Sequence, residues 1–503
     1  MEPKNPRPNV IILYADDLGF GDVGCYGAAR IPTPNIDRLA ASGQRFTQAY
    51  STAATCTPAR YSLLTGTYPW RNPRAAILPG DAPMIIEPGA TTLASLFSGA
   101  GYRTGIVGKW HLGLGEGGID WNGEIRGTPN DVGFDFSYIM AATNDRVPCV
   151  YLKNRRVVGL DPADPIEVSY AWEEADPSVP TGRHNSDQLK MMYSHGHDGT
   201  IINGVSRIGH MRGGRAALWT DETMADVFAD QAVSFVEENR DTPFFLYYAF
   251  HEPHVPRLPH PRFKGATPHG PRGDAIVELD ACVGRLLDAL ERAGLRDQTL
   301  ILFSSDNGPV LDDGYVDQAV QLNDGHTMAG PLRGGKYSLF DGGTRIPFIV
   351  SWPNTVPCGE STALLSQVDL YASFAALLKR PLTEAEAPDS FNVLDALLGR
   401  QSTGRCDLVA EGMQGETIYR AGDWVLIPPY DGPAINPFTN TELGHAPAAQ
   451  LYDLSADIGQ RRNLATEQAA RVAAMQADLS RLLASDAIRQ ENQSQAAPRT
   501  ARP

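Results

Sequence analysis

Cysteine is scarce and scattered. Cys25, Cys56, Cys149, Cys282, Cys358 and Cys406 form no CxxC pair and no dense framework, which excludes a zinc ribbon and a disulfide scaffold. Basic charge is short as well: 43 Lys and Arg stand against 59 Asp and Glu, for a formal net charge of −16. A nucleic-acid binder needs a basic face to neutralise phosphates, so no nucleic-acid partner is expected. A small anionic substrate stays open, because a few local cations can dominate a site inside an acidic protein. No apolar run is long enough to span a bilayer, so no membrane partner is expected either. The start, Met1-Glu2-Pro3-Lys4-Asn5-Pro6, has no apolar h-region. The chain as written is therefore expected in the cytoplasm, or in the periplasm or outside the cell if a leader has been removed. Fixed-period repeats and long low-complexity tracts are missing too, and oligomeric state is left open.

What is present is a long chain with an ordinary apolar content of 42% over 503 residues, enough for one large core and something smaller. Short runs rich in Val, Ile, Leu and Phe at 9–14, 102–107, 243–250, 299–304 and 346–351 predict buried strands. Helical spacing at 35–42, 91–99, 221–239 and 273–294 lies between them. That alternation predicts an α/β fold whose large mixed, mostly parallel sheet is sandwiched by helices. Past residue 380 the texture changes: short strands at 417–428 and 450–453 precede a helix at 466–484. The expected division is a large domain over 1–380 that would carry the active site if there is one, a smaller C-terminal α+β subdomain over 381–489 and a disordered tail at 490–503. Within the first, 141–220 reads as an irregular insertion, the kind of long loop that carries specificity.

Four expected strands run straight into polar clusters. Asp16-Asp17 follows the first, Lys109 and His111 the second, His251 and His254 the third, and Asp306-Asn307 the fourth. Ligands in open α/β sheets bind beyond the carboxyl ends of strands, so the four clusters can share one crevice. Asp16, Asp17, Asp306 and Asn307 offer hard oxygen ligands suited to Ca²⁺ or Mg²⁺, although such pairs also make ordinary turns. No His/Cys ligand set points to zinc. Lys109 and His111 share a side if their strand continues through both. Cys56-Thr57-Pro58-Ala59-Arg60 places Cys56 at a helix N-terminus, where free amides favour an anion, with Arg60 one turn on. Alone, the run also fits a buried structural cysteine before a turn. Arg333-Gly334-Gly335-Lys336-Tyr337 adds a glycine-bearing basic segment.

Taken together, the motifs resemble a known family. Cys56-Thr57-Pro58-Ala59-Arg60, closed by Leu64-Thr65-Gly66, matches the signature of the formylglycine-dependent sulfatases of the alkaline-phosphatase superfamily. Gly108-Lys109-Trp110-His111-Leu112-Gly113 matches a second family run. The likeness covers about 9–484 with the motifs in family order. It implies an alkaline-phosphatase-like fold and sulfate monoester hydrolysis. The nucleophile would be the hydrate of formylglycine (3-oxoalanine), made from Cys56 by a formylglycine-generating enzyme. One cation, Ca²⁺ or else Mg²⁺, would be held by Asp16, Asp17, Asp306, Asn307 and residue 56. Lys109 and Lys336 would contact the sulfate, and Arg60 would offset its charge. His111 would take the proton that frees the product. The family's His-x-Pro pattern fits His254 best, as acid to the leaving alcohol; His251 would shape that loop or touch substrate.

Loops around Asn144-Asp145-Arg146-Val147-Pro148 and Ser194-His195-Gly196-His197-Asp198 resemble those of bacterial polysaccharide sulfatases and galactosamine-6-sulfatase-like proteins. A small-molecule or oligosaccharide sulfate ester is the expected substrate, with Asp145, Arg146, His195 and Arg207 as candidate sugar contacts. The rivals are a phosphonate monoester hydrolase or phosphodiesterase with the same machinery, and an arylsulfatase of broad specificity.

Overall fold

The five apolar runs lie together in one ten-stranded sheet. The structure, a computed structural model, describes residues 7–171 and 178–489; the tail expected at 490–503 falls outside the described residues. In chain order the strands are β1 (Asn9–Ala15), β2 (Gln44–Phe46), β3 (Arg103–Lys109), β4 (Phe136–Met140), β5 (Leu152–Lys153), β6 (Arg156–Val157), β7 (Phe244–Ala249), β8 (Thr299–Ser305), β9 (Phe348–Ser351) and β10 (Gly359–Ser361). Across the sheet they run β10-β2-β9-β8-β1-β7-β3-β4-β5-β6. The central five, β8, β1, β7, β3 and β4, are mutually parallel, and β9 runs antiparallel to β8. Every residue of β1, β7 and β8 is buried. This is why these strands read as unbroken apolar runs instead of alternating ones.

Helices cover both faces. Phe244 and Phe245 point to opposite sides of β7 because side chains alternate along a strand. Phe245 stacks on Phe97 of α3 (Leu93–Gly99), with centroids 4.5 Å apart, and Phe244 meets Phe235 of α4 (Met224–Glu238) at 5.9 Å. On its own side α4 packs along α5 (Gly270–Arg292), which in turn packs on α1 (Pro34–Ala41). Each aliphatic side chain fully buried in these layers contributes about 1.5–3 kcal/mol. Among the described residues no helix is long and apolar enough to cross a membrane.

The region read as an irregular insertion is more ordered than expected. It opens with β5 and β6, which extend the main sheet beyond β4. Further on, Glu167–Ser169 pairs with His210–Arg212, and Ile201–Ile202 with Val205–Ser206. Strands of two or three residues leave no periodic trace, which is why the sequence does not announce them.

After the main sheet comes an antiparallel four-stranded one: β11 (Asp407–Glu411), β12 (Thr417–Ala421), β13 (Trp424–Ile427) and β14 (Gln450–Asp453). One face carries Val409, Tyr419, Leu426 and Leu451 against Met475, Leu479 and Leu482 of the helix Ala469–Ala484. The other face, with Leu408, Ile418, Val425 and Ile427, packs on Leu339 and Phe340, just past Lys336. At its edge Glu411 accepts from the amide of Ala54 at 2.8 Å and donates its own to Thr52 at 2.9 Å. The small sheet is thus fastened to the segment that leads into Cys56.

Candidate active site

Neighbouring parallel strands end at one level, so the order β8-β1-β7-β3 delivers all four polar clusters to the same rim. Two glycines permit the close approach. Gly108 has φ 103°, and a Cβ there would lie 1.8 Å from the carbonyl oxygen of Ala249 at the end of β7. Gly308 donates its amide to Gly343, and a Cβ on it would meet the Gly342 carbonyl at 1.8 Å. Three site residues other than glycine hold left-handed backbone: Asp17 (φ 63°), His111 (φ 55°) and Tyr337 (φ 78°). Such conformations persist where the surroundings over-determine them.

Cys56 is the first residue of the helix α2 (Cys56–Thr65), after an extended Thr55, and it is 2% exposed. Burial pushes its thiol above the usual value, although Lys109 and Lys336 pull the other way. Beside it lies His111, whose Nδ1 is 3.3 Å from Sγ. Lys109 and His111 would share a side only if their strand continued through both; β3 stops at Lys109 and His111 turns left-handed, so the condition is not met. Thr57 holds that turn by donating from Oγ1 to the His111 carbonyl at 3.0 Å. Nε2 of His111 lies 3.0 Å from the Leu78 carbonyl, which can only accept. The proton therefore sits on Nε2, and Nδ1 turns its lone pair to Cys56. Burial, then Lys109 and Arg146, hold His111 well below the usual histidine value, so it is a neutral base.

Cations and carboxylates are closely interlaced around this point. Lys109 Nζ lies 2.6 and 2.8 Å from the two oxygens of Asp16. Lys336 Nζ lies 2.8 Å from Asp17 and 2.7 Å from Asp313. Arg60 reaches Asp306 Oδ2 at 2.7 Å and stands 3.5 Å from Asp16. Burial works against charge on Lys336, but Asp17 and Asp313 outweigh it and keep the ammonium charged. Burial likewise opposes ionisation of Asp306, yet Arg60 and Lys109 hold its carboxyl low. For Asp16 burial prevails, with Asp306 and Asp17 adding to it, and its carboxyl is pushed well up despite Lys109.

Those carboxylates fit a hard cation. Ligand atoms of Asp16, Asp17 and His254 lie within 4.8 Å of one another. Asn307 is fully buried; its Nδ2 donates to Asp17 at 2.7 Å, while its Oδ1 has no partner. An orphaned buried amide oxygen beside three carboxylates calls for a positive charge. The sequence reading did not count His254 in this group.

The imidazole of His254 donates from Nδ1 to the Val255 carbonyl at 2.7 Å and brings Nε2 to 3.8 Å from Asp17. Burial, Lys336 and Lys109 hold it neutral in the free chain. His251 does not join it at the rim. Its buried ring packs toward Phe228, and burial with Lys109 pushes it down to about 3. Arg207 is also kept away from substrate: it is fully buried, 2.7 Å from Asp221 and bonded to the carbonyls of Asn144 and Ile202. Arg207 clamps the inside of the insertion. Asp145 and Arg146 do face the site; they pair at 2.7 Å, and Arg146 bears electrostatically on Cys56 and His111. His197 Nε2 sits 3.0 Å from Asp145, and His195 is half-buried at the outer lip.

Asp313 is the residue that sequence reasoning missed. Besides Lys336 it accepts from the Tyr337 hydroxyl at 2.9 Å. The doublet Asp312-Asp313, five residues past Asn307, was the available signal.

A floor this rich in cations suits a tetrahedral oxyanion, and two neutral imidazoles near it can move protons. The class so defined is a hydrolase of small anionic esters. Comparison with known proteins narrows the class: the Sulfatase family model matches residues 8–379, and the chain belongs to the sulfatase family. It is therefore a sulfuric ester hydrolase. The N-acetylgalactosamine-6-O-sulfatase of Bacteroides thetaiotaomicron is 50% identical over 465 residues, covering 92% of this chain and 91% of that protein. Arylsulfatase A of Homo sapiens is 31% identical over 477 residues, with 91% and 83% covered. A solved Bacteroides thetaiotaomicron structure, described as a 6S-sulf in the metabolism of multiple glycosaminoglycans, superposes with TM-score 0.94. It is 48% identical, over 96% of this chain and 100% of that one.

Proposed function

We propose that this sulfatase removes a 6-O-sulfate from a galactosamine- or galactose-type carbohydrate, using formylglycine made from Cys56. The observation that carries the chemistry is the neutral His111 Nδ1 held 3.3 Å from Cys56 Sγ at a buried helix N-terminus. Burial disfavours the thiolate that a cysteine nucleophile would need, so an oxygen nucleophile at position 56 suits the surroundings better. When present, the hydrated aldehyde supplies that hydroxyl, and Ca²⁺ or Mg²⁺ supplies Lewis-acid polarisation of the sulfate. Asp16, Asp17, Asp306, Asn307 and residue 56 would hold the cation. A formylglycine-generating enzyme would be the partner in maturation.

The chain's own groups do the rest. Lys109, Lys336 and Arg60 offset charge on the transferring group, and loss of one such contact costs ~10²–10³ in rate. His254 presents Nε2 where an ester's leaving oxygen can lie. An anionic ester against that nitrogen favours its protonated form, so substrate binding readies it as the acid. His111 Nδ1 accepts the proton at position 56 that resets the site. The carbohydrate reading is supported by the 50% identical relative, named for N-acetylgalactosamine-6-O-sulfate, over 92% of the chain. Asp145, Arg146 and His195 stand where a sugar would enter.

The test compares kcat/KM on 6-O-sulfated galactosamine and galactose, an aryl sulfate, a phosphodiester and a phosphonate monoester, with intact mass reporting the state of Cys56. Highest turnover of a 6-O-sulfated sugar by aldehyde-bearing protein is expected. A phosphodiester or phosphonate rate above every sulfate rate would overturn the reading. An aryl sulfate rate above both sugars would make it an arylsulfatase of broad specificity.

A further inference from the structure

Among the described residues Phe438 is the most exposed large apolar side chain, at 63%, yet it is firmly placed. It sits at the tip of a hairpin thrown out by the C-terminal subdomain. Leu443 donates to the Ala434 carbonyl and Asn436 to that of Thr441, closing the hairpin at 2.8 Å each. Asn436 Oδ1 caps the tip by accepting from the amides of Phe438 and Thr439 at 2.9 and 3.2 Å. The base rests on the active-site segment: Leu339 donates to Leu443 at 2.9 Å, and Arg333 pairs with Glu442 at 2.8 Å. Phe438 is thereby carried across to the insertion, where its ring stacks on His195 with centroids 5.0 Å apart and planes 29° apart.

That stack continues the site. His195 feels the charges of Asp312 and Asp313, the latter bonded to Lys336. The ring of His197, 6.0 Å from His195, reaches Asp145, partner of Arg146. Other exposed apolar side chains lie on the insertion itself, on the loop after Asp313 and on the loop that follows Glu411, the latter two bonded to the insertion and to the hairpin respectively. Met192 and Val316 are joined by a backbone bond of 2.8 Å, and Met413 is 3.8 Å from the Asn436 amide. Apolar surface that is exposed, rigid and contiguous with a site marks a place for a ligand.

We propose that Phe438, backed by His195, is the stacking platform for the sugar joined to the sulfated one, so that the enzyme favours oligosaccharides over monosaccharides. This rests on the carbohydrate reading above. A pyranose ring carries its axial C–H bonds on one face, an apolar patch matched in size to a phenyl ring, while its hydroxyls stay at the solvated edge. The pair connects to Asp145 and Arg146 through His197, and Lys336 is held by the same Asp313 whose charge His195 feels. The platform thus adjoins the residues that would take the sulfated ring without being one of them.

The experiment measures kcat and KM on a 6-O-sulfated galactosamine monosaccharide and on tri- and tetrasaccharides terminating in the same residue, for wild type, Phe438→Ala and Phe438→Trp. Wild type is expected to favour the oligosaccharides by about three- to tenfold in kcat/KM, through KM. Phe438→Ala brings that ratio near one, and Phe438→Trp restores it. A wild-type ratio of one, or a ratio that Phe438→Ala leaves in place, overturns the platform while the substrate reading stands. Turnover of the aryl sulfate but of no sulfated sugar overturns both.

Discussion

Asp313 holds Lys336: its Oδ2 lies 2.7 Å from Nζ and keeps the ammonium within 2.8 Å of Asp17. Without Asp313 the ammonium loses one of its two carboxylate anchors and is no longer held in one place. Asp313→Asn is expected to lower kcat about 10–100-fold, the usual cost of losing a residue that orients a site group. KM should change much less. Parallel steady-state kinetics on one sulfate ester decide it, and an unaltered kcat would show that Asp313 only fills space.

The cation prediction follows from the orphaned Asn307 oxygen. Protein stripped by a chelator should lose activity and melt at a lower temperature, and Ca²⁺ should restore both. A ligand at 100 times its Kd stabilises by ~2.7 kcal/mol. Identical melting curves with chelator and with Ca²⁺ would argue that these carboxylates serve the lysines alone.

Arg146 and Arg207, both expected at the substrate, should part company. Arg207→Ala strands the buried Asp221 carboxylate, a loss of about 3–5 kcal/mol, and should drop Tm by several degrees. Arg146→Ala removes a partly exposed guanidinium and leaves the buried Asp145 with His197 Nε2 at 3.0 Å, so it should raise KM for the sugar sulfate with a smaller loss of Tm. Differential scanning fluorimetry beside kinetics separates the two. A large Tm loss in Arg146→Ala would place it with Arg207 as a structural clamp.

Glu411 makes stability depend on pH. Burial, with Glu416 nearby, raises its carboxyl from the ordinary 4.5 to about 8. A group raised in the folded state binds its proton more tightly there, so the stability it contributes is complete below pH 4.5 and lost as pH rises to about 8. Glu411→Gln should raise Tm at pH 8, leave it nearly unchanged at pH 4, and flatten the slope between. An equal slope in the variant would assign the dependence to other carboxyls.

Much of this was legible in the sequence because the parallel core writes itself plainly. Runs such as Val10–Tyr14, buried on both faces, cannot be mistaken for half-exposed strands. A polar cluster at the end of four of the five runs names the rim from the sequence alone. What stayed hidden depends on tertiary partners. Arg207 and Arg146 look alike in sequence, and only the contact with Asp221 tells clamp from contact. His251 and His254 are three residues apart, and the loop alone decides which one meets the rim. Asp313 lies in a stretch with no periodicity. The left-handed turn at His111 is uncommon for any residue but glycine, and only its contacts with Thr57 and Leu78 fix it.

The approach to Cys56 is pinned by residues far ahead in the chain, for Tyr337 donates to the Ala54 carbonyl at 2.8 Å and Ala54 to that of Glu411. A growing polypeptide reaches those partners long after Cys56 has emerged, on the order of 20–70 s at ordinary rates of synthesis. During that interval the segment lacks its final anchors and the thiol is open to another enzyme. Once β11 docks, the same atom lies sealed at a helix end. The fold thereby sets a schedule: if Cys56 is modified from outside, as proposed above, the open interval is the one before the C-terminal sheet arrives.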